Sequence, residues 1–184
     1  MSLTITTPAT DEYADFHKGY IAAVANEPDG LAVLERQLSA IEKLATLSSQ
    51  QATHRYAEGK WSVKEMAGHL SDAERVLSYR LMRIARGDKT PLPGFDENAI
   101  AAASNAERRE LRDLVNELSA VRRSTLALVR SLDQAALAQR GTVNNWSLTA
   151  RGLVFIIAGH FAHHVNVLRE RYGIDLSGRE TIAT

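Results

Sequence analysis

Cysteine is absent from this 184-residue chain. That excludes disulfides, thiolate metal ligands and a catalytic thiol, so a metal site would have to use His, Asp or Glu. Net charge is absent too, because 22 Lys and Arg offset 22 Asp and Glu. With no excess of either sign, no field draws in nucleic acid or an anionic membrane, and neither is expected as a partner. Long apolar runs are also lacking. The longest, Leu153 to Ala158, falls far short of the ~20 residues that cross a bilayer. Met1 to Tyr13 carries neither the basic flank nor the apolar stretch of a signal peptide. The expectation is a soluble, cytoplasmic protein acting on a small-molecule substrate.

Proline is scarce, occurring only at positions 8, 28, 91 and 93. Between these breaks, apolar residues recur at three- and four-residue steps with little strand-like alternation, which predicts an all-α protein. A chain of this length buries roughly 70% of its unfolded surface, enough for one self-sufficient core. We expect a loose N-terminal arm over residues 1–12, a single bundle domain over 13–176 and a C-terminal tail over 177–184. A short helix is predicted near Glu12 to Ala25. Asp29 can cap a first long helix reaching about Leu47. Ser62-Val63-Lys64-Glu65 is a capping box that opens a second long helix, ending near Arg86 before Gly87. Pro91-Leu92-Pro93-Gly94 belongs to a long loop at one end of the bundle. Ser104-Asn105-Ala106-Glu107 repeats the capping-box spacing and predicts a third helix to about Leu132. After a connector containing Gly141 and Asn144-Asn145, Ser147 or a neighbour opens a fourth helix that stops at Gly173. Trp61-Ser62 recurs as Trp146-Ser147, and Ala67-Gly68-His69 as Ala158-Gly159-His160, a faint sign of two related halves.

Six histidines occur, at 17, 54, 69, 160, 163 and 164. Helical positions four apart differ by only ~40° in bearing, so His160 and His164 point the same way and can chelate one ion. His163 is directed toward the opposite face. On the second helix His69 stands ~60° from the centre of the stripe formed by Met66, Leu70, Ala73, Leu77 and Ile84. If the bundle brings these helices together, His69, His160 and His164 form a three-imidazole site with an open coordination position. Zinc leads the divalent candidates, with nickel, iron and copper also compatible. No H-E-x-x-H occurs and no Glu precedes a His by three, so a mononuclear site fits better than a di-iron one. Proton competition should weaken metal binding below about pH 6.5. Glu65 and Asp72 flank His69 on its own side of the helix and are candidates to orient an imidazole or act as a base. Arg80 continues the column of His69 three turns on and is a candidate to meet an anionic group. Each of the three has an ordinary alternative as a solvated or ion-paired helix residue.

Gly59-Lys60-Trp61-Ser62-Val63-Lys64-Glu65, Gly68-His69-Leu70 with Asp72 and Glu74, and Ala158-Gly159-His160 through His163-His164 together resemble the DinB-like (DinB/YfiT) metalloenzyme superfamily. The resemblance spans roughly residues 20–172. It implies a four-helix bundle holding one metal on His69, His160 and His164. It also implies a metal-dependent enzyme, read first as a thiol-dependent S-transferase using a low-molecular-weight thiol, with a metal-dependent amide or ester hydrolase as the alternative. A non-catalytic metal-binding stress protein is the third possibility. By analogy with the family, a homodimer is expected.

Overall fold

Asp29 opens the first long helix as the sequence predicts, its carboxylate accepting the Leu31 amide. The computed structural model describes residues 4–176, so the expected tail over 177–184 lies outside the described residues. Within them the α-helices are α1 (Lys18–Ala23), α2 (Gly30–Leu44), α3 (Ser49–Thr53), α4 (Val63–Ala85), α5 (Glu97–Ala103), α6 (Leu111–Arg130), α7 (Gln134–Leu137) and α8 (Ala150–Tyr172). The four long ones, α2, α4, α6 and α8, make the bundle. Both α2 and α4 pack against α6 and α8. Helices adjacent in the chain therefore cross the bundle diagonal twice, between α2 and α4 and between α6 and α8. Each crossing needs a long connection, and these carry the short elements α3 and α7. No helix of the described residues is long and apolar enough to cross a membrane.

The capping box at Ser62 forms as the spacing predicts: Ser62 Oγ accepts the Glu65 amide, and the Glu65 carboxylate accepts the Ser62 amide. The second such motif does not form. Ser104 closes α5 instead, donating to the Ala101 carbonyl and accepting the Ala106 amide, while Asn105 takes a left-handed φ of 56°. Glu107 turns away to accept hydrogen bonds from Ser62 Oγ and Arg55. The third long helix consequently starts at Leu111, six residues later than the motif suggested.

The connector after α7 is a β-hairpin of β1 (Arg140–Val143) and β2 (Trp146–Thr149), closed by Asn144 and Asn145 with φ of 47° and 67°. Two consecutive left-handed residues suit asparagine and give the tight turn a hairpin needs. Ser147 thus lies in a strand, and the cap of α8 is Thr149, whose hydroxyl accepts the Gly152 amide. The recurrence of Trp-Ser is a coincidence of sequence, since Trp61-Ser62 begins a helix and Trp146-Ser147 pairs in a hairpin. Leu92 bridges to Val143, exchanging hydrogen bonds with Thr142 and Asn144. The proline loop is thereby fixed to the hairpin.

Ile5 and Glu12 are buried, and Ile5 bonds both the Asp29 carboxylate and the Gly30 amide. The described part of the expected loose arm, residues 4–12, is therefore packed onto the body. An apolar Ile anchor and a cap shared with α2 hold it there. It lies, with α1, on the first three turns of α8, which explains why Leu153 through Phe161 are buried all round. Close approach depends on Gly159. A Cβ there would lie 2.0 Å from the Tyr20 carbonyl oxygen, which belongs to backbone and has little freedom to yield. We predict that Gly159→Ala destabilises the protein by roughly 1–3 kcal/mol despite the better helix propensity of alanine. Urea unfolding should show a lowered midpoint. An unchanged or raised midpoint would mean that α1 does not rest on this glycine.

Candidate metal centre

α4 and α8 pack side by side, and this brings together the histidines that their sequences keep 91 residues apart. His69 Nε2 and His160 Nε2 are 3.1 Å apart, and nitrogens of His69, His160 and His164 all lie within 4.8 Å of one another. Two nitrogens sharing a tetrahedral zinc at bonds of ~2.0 Å are separated by roughly 3.3 Å, so the nearest pair is already at ligand spacing. His69 and His160 are buried and His164 is half-buried, but its Nδ1 is buried with no hydrogen-bond partner. A buried nitrogen without a partner is what a coordinating ion would satisfy. The donor set, three imidazoles with no thiolate, fits a divalent transition ion.

The rings are held by their neighbours. Trp61 lies against His69 at 4.6 Å and stacks near His164 at 6.5 Å, centroid to centroid. Tyr20 places its edge on His160 at 5.4 Å. His163 is exposed beyond Tyr20, at 5.6 Å, on the outer side of α8. The structure thus brings His69, His160 and His164 together and directs His163 away.

Burial keeps all three imidazoles neutral. It lowers the pKa of His69 to about 4, while burial plus the mutual repulsion of the cluster lowers His160 to about 3 and His164 to about 2. The nitrogen lone pairs are therefore free well below pH 6.5. Proton competition in the folded chain begins at more acid pH than an exposed histidine would suggest.

The other expected residues divide. Glu65 is occupied by its capping role and by Arg55, and Asp72 pairs with Arg75 at the surface. Neither lines the cavities beside the histidines. Arg80 does, in a cavity of about 270 Å³ whose lining includes His160, His17 and Tyr20. A second cavity of about 250 Å³ is lined by His164, Trp61, Lys60 and Tyr172.

Sequence reasoning passed over His17, which is buried with an unpartnered Nδ1. It also passed over the buried pair Glu74–Arg122, whose Arg122 Nε and Nη2 each donate at 2.8 Å to the carboxylate. A signal for the pair exists. Arg122 falls on the buried stripe Leu118, Arg122, Thr125, Val129 of α6, and Glu74 lies among the buried positions Leu70, Ala73, Leu77 of α4.

The family model described as DinB superfamily matches residues 33–168. Among solved structures, YfiT from Bacillus subtilis, described as a probable metal-dependent hydrolase with an unusual four-helix bundle topology, is 20% identical. The likeness covers 78% of this chain and 86% of that one, with a TM-score of 0.66. At this identity the likeness speaks to the fold. A search of the curated proteins finds no match.

Two predictions follow from the cluster. His69→Ala, His160→Ala and His164→Ala should each lose stoichiometric metal while His163→Ala keeps it, as read by elemental analysis after dialysis; metal retained in His164→Ala and lost in His163→Ala would reverse the pairing. The second concerns acid. Unfolded histidines protonate near pH 6.5 and the buried ones only near 4 or below, so the unfolded state takes up these protons first. Their contribution to stability is full above pH 6.5 and is lost as pH falls toward 4. The urea midpoint of metal-free protein should fall over that window, and fall less in His160→Gln. Equal slopes for the two proteins would contradict burial of a neutral His160.

Proposed function

The chain belongs to the DinB superfamily, and from that premise we propose that it is a metal-dependent hydrolase acting on an amide or ester bond at His69, His160 and His164. The observation that carries this reading is the convergence of three neutral imidazoles, two buried and one half-buried, beside a cavity that opens on His160. The relative YfiT, described as a probable metal-dependent hydrolase, supports it by analogy of fold. When bound, a divalent ion would supply Lewis acidity and lower the pKa of the nucleophile it holds.

The chain's own residues supply the rest. His69, His160 and His164 present uncharged nitrogens, and the Trp61 ring shields two of them from water. His17, lowered to about 4 by burial and by Arg80, stays neutral at physiological pH. Its uncharged imidazole lines the same cavity as His160 and would serve as the hydrogen-bond acceptor for an attacking water there. His17 takes the place considered for Glu65 and Asp72, whose carboxylates are engaged elsewhere.

A thiol-dependent S-transfer is the second reading, and one observation favours it. His160 lines one cavity and His164 the other, so the cluster has room on two sides for two reactants. The two readings are separated with cobalt-loaded protein. The hydrolase reading expects turnover of a panel of aryl esters and anilides that is lost in His160→Ala, and no sulfur-to-cobalt charge-transfer band with bacillithiol, mycothiol, glutathione or coenzyme A. A band with one of these thiols and no hydrolysis would replace it with the transferase.

A further inference from the structure

Two arginines of the described residues are buried, and they are treated differently. Arg122 is neutralised by Glu74. Arg80 is 8% exposed and has no carboxylate partner among the described residues. Its single hydrogen bond is from Nη2 to the Pro93 carbonyl at 2.7 Å, and its guanidinium lies 5.3 Å from the centroid of the Phe95 ring. A guanidinium has five N–H donors, so most of this one's capacity is unused. Holding a charge away from water without a counter-charge is costly, and the cost is recovered when a ligand brings the opposite charge.

The space beside Arg80 is the cavity of about 270 Å³ that reaches His160, room for roughly nine waters at ~30 Å³ each. Much of its wall is apolar, with Phe95, Leu148 and Ile156 among the lining residues. Glu97 is the one carboxylate among the lining residues; it is exposed and forms no ion pair with Arg80. Phe16, 59% exposed, lines the same cavity and meets the exposed Trp146 ring at 6.1 Å. The pocket therefore offers one buried cation in Arg80, one exposed carboxylate in Glu97, the polar groups of His17, Tyr20, Asn144 and His160, and apolar wall between them.

We propose that this cavity binds a small carboxylate with an apolar body, its carboxylate on Arg80 and its body against Phe95, Leu148 and Ile156, extending toward His160. One planar guanidinium with free parallel N–H groups matches a carboxylate. A single cation in an apolar cavity suits a monoanion better than a phosphate, which gathers several donors. The proposal names the substrate class for the reading given above and rests on it for the direction of the reactive bond. The binding step itself requires no metal.

The test is a two-dimensional NMR titration of the full, isotope-labelled chain, stripped of metal by a chelator and shown by circular dichroism to keep its helix content. Hexanoate, hexanamide and inorganic phosphate are the probes. Hexanoate should shift the Arg80 Nε–H signal and the amides of Phe95 and Val143, with hexanamide and phosphate each at least about tenfold weaker, the loss expected when a charge-assisted hydrogen bond or its apolar complement is missing. Arg80→Gln should weaken hexanoate by a similar factor. Phe16→Ser, at an exposed position that carries little folding risk, should weaken hexanoate without strengthening phosphate. Equal binding of hexanoate and hexanamide to the unmodified chain would overturn the proposal without recourse to any variant, as would tighter binding of phosphate. Hexanoate that binds only after zinc is added, and equally in Arg80→Gln, would place the carboxylate on the ion and also overturn it. Failure of the hydrolase reading shows separately, as absent turnover in a chain that still binds hexanoate at Arg80.

Discussion

Arg122 is the side chain on which the arrangement of the four long helices turns. It stands on α6, donates twice to Glu74 of α4, and bonds Gln37 Oε1 and the Leu34 carbonyl of α2 at 2.7 and 3.3 Å. Its guanidinium also lies 5.2 Å from the Phe161 ring centroid on α8. Gln37 completes the network by donating to the Ala158 carbonyl. Taking such a pair out of water is expensive, and an apolar core of the same volume is often as stable. What the pair adds is orientation. Apolar stripes can slide and rotate past one another, whereas a bidentate ion pair with two further bonds admits one rotation of each helix. His69 lies five residues before Glu74 and His160 one before Phe161, so the bearing of both histidines follows from that rotation. The charge of Arg122 also adds to the forces that hold His160 neutral.

The site cavity lies against α4 and α8 and is closed by parts of the chain outside the bundle proper. Its far wall comes from α1 and the turn before it, its roof from the hairpin and the loop that Leu92 fastens to it. Phe16, His17 and Tyr20 precede residue 33, where the family match begins. The three histidines fall within that match. The three histidines are thus carried by the bundle, and one wall of the cavity is carried by the N-terminal segment, which reaches α8 only because Gly152 and Gly159 leave room for its backbone.

What the sequence made legible was whatever depends on local geometry. The four-residue spacing of His160 and His164, the Ser62 capping box, the Asp29 cap and the glycine stop at position 173 are each decided within a turn of helix, and each is present. The second capping box failed because the competing partner of Glu107, Ser62, is 45 residues away. No local pattern could report that. The hairpin was missed because four-residue strands leave little alternation to detect, although Asn144-Asn145 carried the turn signal. The arm was misjudged because one buried residue, Ile5, decides its packing. Glu65 and Asp72 stood on the right side of their helix and found other partners, since angular position constrains where a carboxylate starts and not which cation reaches it.

The contrast between the two buried arginines separates structure from function more sharply than burial alone. Arg122 donates through all three of its nitrogens within the protein and reports on folding. Arg80 is also buried, yet among the described residues it has only a carbonyl and an aromatic face, neither of which cancels its charge. If its task were to hold the proline loop, a neutral donor to Pro93 would do so at lower electrostatic cost. His17 sits close enough to Arg80 for that charge to depress its pKa, so the unspent cation also holds the cavity's acceptor neutral. Burial is the first cause that keeps His17 and the imidazoles of the cluster uncharged, and Arg80 adds to it at His17. Together they prepare the cavity for a negative charge that the chain itself does not provide.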